Sequence, residues 1–104
     1  MEKNCIHGLN FDQNNVVEAI LTNYPEIEEA ILYGSRAKGT HRNSSDVDLT
    51  LLGENISHAT LLGVLGALDD SNLPYIFDVS IYDKIENPDL IEHIERVGLS
   101  VYKR

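Results

Sequence analysis

Residues Ile31 to Leu52 read ILYGSRAKGTHRNSSDVDLTLL, and this stretch organises the interpretation of the whole chain. An apolar segment stops at Gly34-Ser35, and Asp46 and Asp48 lie two positions apart at the start of a second apolar segment. Glycine lets the backbone approach a phosphate closely, and a helix that begins just after it directs free N–H groups at an anion. Carboxylates two apart on a strand point to the same face and can share a divalent cation. The stretch therefore predicts a site for a metal-chelated nucleoside triphosphate.

The charge distribution supports the same site. The chain has 104 residues and a formal net charge of −9, with 8 Lys and Arg against 17 Asp and Glu. This balance argues against a nucleic-acid-binding surface, because phosphate contacts need clustered cations. It fits a basic protein partner better, or simply a soluble acidic domain. Three of the few cations, Arg36, Lys38 and Arg42, nevertheless lie just before the Asp46/Asp48 pair, which indicates a metal-chelated anion there.

Length and composition predict one domain that spans residues 1–104. The sequence has no uncharged apolar segment long enough to cross a bilayer, and its N-terminus, MEKNCIHGLN, lacks the apolar region of a signal peptide. Cys5 is the single cysteine, which excludes an internal disulfide and disfavours a zinc cluster. We therefore expect a cytoplasmic protein that binds neither membrane nor nucleic acid directly.

Apolar periodicity and turn signals predict alternating helices and strands after a loosely held polar lead over residues 1–11. The predicted helices cover residues 12–24, 34–38, 57–70 and 88–97. The predicted strands cover residues 28–33, 46–52, 75–82 and 99–102. The expected N-caps are Asp12, Ser57 and Asn87. The core side of the third helix is expected to carry Leu61, Leu62, Leu65 and Leu68. This order predicts an α/β (α+β) fold, with a small mixed sheet and helices on one face.

Side-chain alternation places carboxylates on one face of two strands. In the second strand, Val47, Leu49 and Leu51 point opposite to Asp46 and Asp48. In the third strand, apolar residues likewise alternate with Asp78 and Ser80. If the two strands are neighbours, Asp46, Asp48 and Asp78 converge on the face that the helices leave open, which outlines a metal site. The opposite parity of Asp83 makes it a poorer candidate.

These residues resemble the polymerase-beta-like nucleotidyltransferase superfamily. The resemblance rests on Gly34-Ser35, a spacer of ten residues, Asp46-x-Asp48, and a later strand residue, Asp78. The run GSRAKGTHRNSSDVDL is similar to the smallest branch, the minimal nucleotidyltransferase (MNT) domains, and the resemblance covers nearly the whole chain. The sequence departs from the pattern at position 38, where Lys replaces the Arg that such motifs often carry.

The resemblance implies an activity for the three carboxylates. Asp46, Asp48 and Asp78 would bind two magnesium ions and direct the transfer of AMP from ATP to an acceptor hydroxyl. Asp78 would also hold the catalytic metal and help to deprotonate that hydroxyl.

The resemblance assigns the Gly-Ser segment to the nucleotide. Gly34 and Ser35 would hold the triphosphate through backbone and hydroxyl groups, while Arg36 and Lys38 are further nucleotide-binding candidates. Side chains two apart on a helix do not share a face, so Arg36 and Lys38 are not expected to act together. His41 and Arg42 either reach the triphosphate or have no role. His7, His58 and His93 have no carboxylate or Cys at ligand spacing, and His93 falls on the polar side of its helix, so all three are expected at the surface.

The resemblance also implies a partner. MNT proteins are often encoded beside a HEPN-domain protein, and in toxin–antitoxin pairs the MNT protein silences a HEPN RNase by adding AMP to a tyrosine. Two alternatives stay open at this point: a non-catalytic antitoxin that occludes its partner, and transfer to a small molecule with the acceptor site supplied in trans. The complete carboxylate set favours the enzyme, because occlusion needs no such constellation. Polymerisation on RNA is disfavoured by the missing basic track.

Overall fold

Four strands form one mixed sheet in a computed structural model that describes residues 5–42 and 44–104. The strand order is β3-β2-β1-β4, with β1 antiparallel to both β2 and β4, and β2 parallel to β3. The strands are β1 (Glu29–Tyr33), β2 (Val47–Leu52), β3 (Phe77–Ile81) and β4 (Leu99–Lys103). The helices are α1 (Phe11–Thr22), α2 (Ser35–Lys38), α3 (His58–Asp70) and α4 (Pro88–Val97), with a 3₁₀ turn at Tyr82–Lys84. The first four residues of the predicted lead and Asn43 lie outside the described residues.

The main core lies between one face of the sheet and the helices α1 and α3. The strands contribute the alternate residues Ala30, Leu32, Val47, Leu49, Leu51, Val79 and Ile81. The two helices contribute Val17, Leu21, Val64 and Leu68. Alternation along each strand sends the intervening residues to the opposite face, as the sequence pattern predicts. The predicted fold class and mixed sheet are confirmed.

Helix α4 differs from the predicted arrangement because it lies on the other face. The ring of His93 meets the ring of Tyr33 edge-on, and a Cβ on Gly98 would lie 2.6 Å from Cγ2 of Ile31. Tyr33 and Ile31 point away from the main core, so α4 covers β1 on the face that carries the β2 and β3 carboxylates. Ile94, at 2% exposure, anchors this packing outside the main core. Helix α4 therefore covers the part of the carboxylate face that β1 forms.

The N-terminal segment is also more ordered than predicted. Ile6 and Leu9 are buried in the main core, so a loosely held lead is the wrong description of residues 5–10. The N-cap of α1 is Asn10, whose side chain accepts a hydrogen bond from the backbone N–H of Gln13, while the Gln13 side chain accepts one from the N–H of Asn10. This capping box, rather than Asp12, begins the helix.

The remaining helices begin as predicted, at an Ser57 cap for α3 and an Asn87 cap followed by proline for α4. The prediction that Leu62 lies in the core is wrong, because this residue is 55% exposed. Val64 is fully buried instead. The buried residues of α3 recur every four positions, at Thr60, Val64 and Leu68, and form one stripe along the helix. Within the described residues, no helix is long and apolar enough to span a membrane.

Candidate active site

The pairing of β2 with β3 brings two of the predicted carboxylates side by side. Asp48 and Asp78 are direct register partners in the parallel pair. Asp46 lies one residue before β2, where the Val47 N–H donates to the Ile76 carbonyl at 2.8 Å and continues the strand pairing. Asp46 and Asp78 are exposed and Asp48 is half-buried. Asp48 and Asp78 are therefore neighbours on one face of the sheet, and the charge of Asp46 also acts on Asp48.

The electrostatics of Asp48 show why this cluster suits a cation. Burial raises the pKa of Asp48, and the negative charges of Asp78 and then Asp46 raise it further. The side chains of His93 and Arg36 lower the pKa of Asp48, with smaller effects. Three carboxylates that repel one another supply the hard oxygen donors that magnesium prefers.

The fit to magnesium depends on the nucleotide as well. Among residues 5–42 and 44–104, no three acidic, His or Cys side chains are already arranged as a metal cage. Magnesium is commonly held by one or two carboxylates together with substrate phosphates, rather than by a complete protein cage. The donor set of Asp46, Asp48 and Asp78 therefore fits a metal that arrives with a triphosphate.

Gly34 forms the turn that faces these carboxylates. Its backbone angles, φ 75° and ψ −157°, belong to a region that is accessible almost only to glycine. A Cβ at this position would lie within 2.3 Å of Oδ2 of Asp48. The glycine therefore keeps clear the space beside the central carboxylate, where the backbone could approach a phosphate.

Helix α2 follows the turn immediately, beginning at Ser35 and ending at Lys38. A single helical turn has a small macrodipole, so anion binding here would depend on individual N–H and hydroxyl groups. Ser35 is half-buried at the first position of the helix, whereas Lys38 is exposed at the last. The structure thus brings Ser35 next to the Gly34 turn and leaves Lys38 at the surface.

Arg36 points into the protein and not toward the carboxylates. It is 1% exposed, and its Nε and Nη2 donate to the Ser45 carbonyl at 3.2 and 2.8 Å. Its Nη1 donates to the His7 carbonyl at 2.7 Å, and the guanidinium lies 5.1 Å from the centre of the Tyr75 ring. Arg36 therefore connects α2 to the residue that precedes Asp46. This placement indicates a structural role and gives no support to the predicted phosphate contact.

Two histidines, His7 and His41, lie near Arg36 and the loop that follows α2. His7 Nδ1 lies 2.6 Å from the Arg36 carbonyl, and its ring centre lies 6.4 Å from that of His41. Gly8, at φ 92°, leaves room for the guanidinium, since a Cβ there would lie 2.2 Å from Nη1 of Arg36. The N-terminal segment thereby closes one side of the loop that joins α2 to Asp46.

Sequence reasoning missed two residues beside the site, His93 and Tyr33. His93 is half-buried, and its Nε2 accepts a hydrogen bond from the Gly34 N–H at 3.1 Å, so the prediction of a surface histidine is wrong. Tyr33 is 7% exposed. Burial is the main reason that the pKa of its phenol is raised, and the charges of Asp78 and Asp48 add to it. His58 is exposed, as predicted.

A separate cleft of about 670 Å³ lies at the opposite end of the sheet. It is lined by Glu28, Glu29, Leu52, Gly53, Glu54, Asp83, Lys103 and Arg104. Because Glu29 pairs with Leu52 while Tyr33 pairs with Asp48, the length of β1 separates this cleft from the carboxylates. The candidate active site lies at the other end of β1, beside the Gly34 turn and α4.

Comparison with known proteins agrees with the geometry. Residues 15–104 match the family model described as polymerase beta, nucleotidyltransferase. A search of curated proteins finds no match.

Several solved structures share the fold. One is a toxin–antitoxin with AMP-PNP, with a TM-score of 0.71 and 18% identity over 88% of this chain and 73% of that one. A second is a tri-AMPylated Shewanella oneidensis HEPN toxin in complex with its MNT antitoxin, with a TM-score of 0.64 and 16% identity over 88% of this chain and 70% of that one. The toxin–antitoxin MntA-HepT gives a TM-score of 0.62 and 16% identity over the same shares, 88% and 70%.

The family model covers most of the sequence, including the Gly34 turn and all three carboxylates. The structures share the architecture of the sheet and its helices at low identity, and so support the fold. The chain belongs to the polymerase beta nucleotidyltransferase family, and it is a nucleotidyltransferase.

Proposed function

We propose that this chain is a magnesium-dependent adenylyltransferase that transfers AMP from ATP to a tyrosine of a HEPN-type RNase toxin and so acts as its antitoxin. The observation that carries the proposal is the register pairing of Asp48 with Asp78 beside the Gly34-Ser35 turn, in a chain of this family. A module that only occluded its partner would have no use for paired carboxylates that raise the pKa of Asp48.

The roles of the carboxylates follow from their positions. Asp46 and Asp48, at the start of β2, and Asp78, on β3, would hold two magnesium ions. Bound magnesium would neutralise charge on the triphosphate during transfer. Asp78 is exposed at the sheet surface, where an acceptor hydroxyl can approach it, and it would orient that hydroxyl and help remove its proton.

The turn residues would hold the triphosphate during the reaction. Gly34 would offer a backbone surface without a side chain, and Ser35 its hydroxyl and N–H groups. The acceptor oxygen then bonds to the α-phosphorus, the bond from that phosphorus to the bridging oxygen breaks, and pyrophosphate leaves. Lys38 is exposed near the turn and is a candidate for the outer phosphates.

A partner would supply the acceptor. Residues 1–104 are proposed to form one minimal nucleotidyltransferase domain, and the cleft of about 670 Å³ lies away from the carboxylates. Support for a HEPN-type partner comes from solved structures that share the fold, which include an MNT antitoxin in complex with an AMPylated HEPN toxin. The net charge of −9 is compatible with a basic partner surface.

Intact-mass measurement of the partner tests the proposal. A HEPN-type RNase toxin would be incubated with the chain, ATP and magnesium. We expect a mass gain of one or more AMP units on the partner, abolished by Asp48→Asn. Asp83→Asn, a matched change of an exposed aspartate outside the cluster, should keep full transfer. A stable, neutralised complex without any mass gain would contradict the proposal and favour occlusion.

A further inference from the structure

The Gly34 turn is held by a residue from the far end of the sequence. His93, on α4, accepts a hydrogen bond at Nε2 from the Gly34 N–H, at a distance of 3.1 Å across a separation of 59 residues. We propose that His93 is a positioning residue of the nucleotide site, which fixes the Gly34-Ser35 turn in the shape that receives the triphosphate. This inference rests on the proposed function, because it concerns the same site.

The turn benefits from a restraint on Gly34 because glycine itself restricts the backbone little. Gly34 has no side chain and adopts backbone angles that glycine enters and leaves easily. Helix α2 has only four residues, and its first helical bond runs from the Lys38 N–H to the Gly34 carbonyl at 3.1 Å. A helix this short is not stable by itself. The hydrogen bond to His93 is therefore the contact that ties the N–H side of Gly34 to the body of the protein.

His93 is itself held rigidly. Its ring packs edge-on against Tyr33, with ring centres 6.1 Å apart and an interplanar angle of 81°. Tyr33 is itself buried, with 7% of its surface exposed. The next residue along α4, Ile94, is 2% exposed and anchors the helix to the sheet. The imidazole is thus delivered to the turn from a packed helix instead of from a loop.

The hydrogen bond from Gly34 also indicates which ring nitrogen of His93 carries the proton. Nε2 accepts from a backbone N–H, so the ring proton lies on Nδ1 in this arrangement. An acceptor at this position directs the Gly34 N–H toward α4 and leaves the opposite side of the turn, beside Asp48, facing the carboxylates. Side chains that lack an acceptor would leave a half-buried N–H without a partner, and the turn would relax.

Two variants of similar size separate the hydrogen bond from simple packing. His93→Gln retains an acceptor oxygen, whereas His93→Leu fills the space without one. We expect His93→Leu to weaken magnesium-ATP binding about tenfold, the upper range for one lost hydrogen bond, and His93→Gln to stay within about threefold of wild type. In transfer assays the His93→Leu effect should appear mainly in the KM for ATP. His58→Leu, at an exposed histidine on α3, is the matched surface control.

Amide hydrogen exchange at Gly34 provides a readout that needs no nucleotide. We expect Gly34 to be protected in wild type and in His93→Gln and to exchange faster in His93→Leu, while melting temperatures verify that each variant folds. Equal ATP affinity in His93→Leu and wild type, or equal losses in both His93 variants, would overturn the inference and leave the proposed function intact. If wild type fails to bind ATP, the proposed function fails; an unprotected Gly34 amide in wild type overturns the His93 contact independently.

Discussion

Replacing Gly34 with alanine tests the geometry of the site most sharply. Alanine would have to adopt φ 75° and ψ −157°, which costs on the order of 1–3 kcal/mol for a residue with a side chain. Its Cβ would also lie 2.3 Å from Oδ2 of Asp48. Since that oxygen is the end of a mobile side chain, we expect the Asp48 carboxylate to rotate away from its neighbours, which removes it from the metal set.

The expected result of Gly34→Ala has two parts. For a domain of this size, calorimetry should show that the melting temperature falls by roughly 4–8 °C for each kcal/mol of strain. Magnesium-ATP binding should be lost in isothermal titration, because the added methyl displaces the Asp48 carboxylate from the metal set.

Gly39→Ala is the matched control for backbone strain. Gly39 also has a positive φ, 78°, but a Cβ there would meet no heavy atom of the described residues within 4 Å beyond its own neighbours in the chain. This variant should lose about 1–2 kcal/mol of stability through the left-handed backbone alone and keep magnesium-ATP binding. If Gly34→Ala binds magnesium-ATP as well as Gly39→Ala does, the reasoning about the turn and Asp48 is refuted.

Three further substitutions have defined outcomes. Arg36→Lys should lower the free energy of unfolding by about 1.5–3 kcal/mol in urea titrations, because it loses the planar five-donor fork that holds the Ser45 and His7 carbonyls; an unchanged midpoint would contradict the structural role. Asp48→Asn should abolish transfer yet raise the melting temperature in magnesium-free neutral buffer, because it removes a partly buried charge repelled by its neighbours; a lower melting temperature would argue against that repulsion. Gly66→Ala should add about 0.4–1 kcal/mol of stability, since it lies in the interior of α3 with no atom within 4 Å of the new Cβ, and a loss measured by urea titration would contradict this.

Local signals explain why most of the fold could be predicted from the sequence. Caps such as Ser57 and Asn87-Pro88 determine helix starts through bonds to the next few residues, and alternation along β2 and β3 determines which face each side chain takes. The same alternation places Asp48 and Asp78 on one face, so the carboxylate cluster was predictable once the strands were neighbours.

The features that sequence patterns do not predict depend on contacts between residues far apart in the chain. His93 contacts a turn 59 residues away, and no periodicity along α4 distinguishes such a ring from a solvated one. Helix α4 was assigned to the wrong face because its apolar stripe fits either side of the sheet equally well. Ile6 and Leu9 were too few and too irregular to signal a packed segment, although both are buried.

Arg36 illustrates a different limit. A basic residue next to a Gly-Ser turn can contact a phosphate or satisfy buried carbonyls, and residue type alone does not separate the two. Which of these contacts Arg36 makes depends on the conformation of the loop after α2. Here the Ser45 and His7 carbonyls both accept hydrogen bonds from the guanidinium. An arginine, with five donors in a planar fork, is well suited to join two such segments.

The central claim is that this chain transfers the nucleotidyl group of ATP to a partner protein. The most direct measurement uses ATP labelled with ³²P at either the α- or the γ-phosphorus, incubated with magnesium, the chain and the HEPN-domain partner. We expect label on the partner from α-labelled ATP only, with one pyrophosphate released for each AMP added and no label in the presence of Asp48→Asn. Transfer of the γ-label, or no label from either substrate under conditions in which the two proteins form a complex, would contradict the claim.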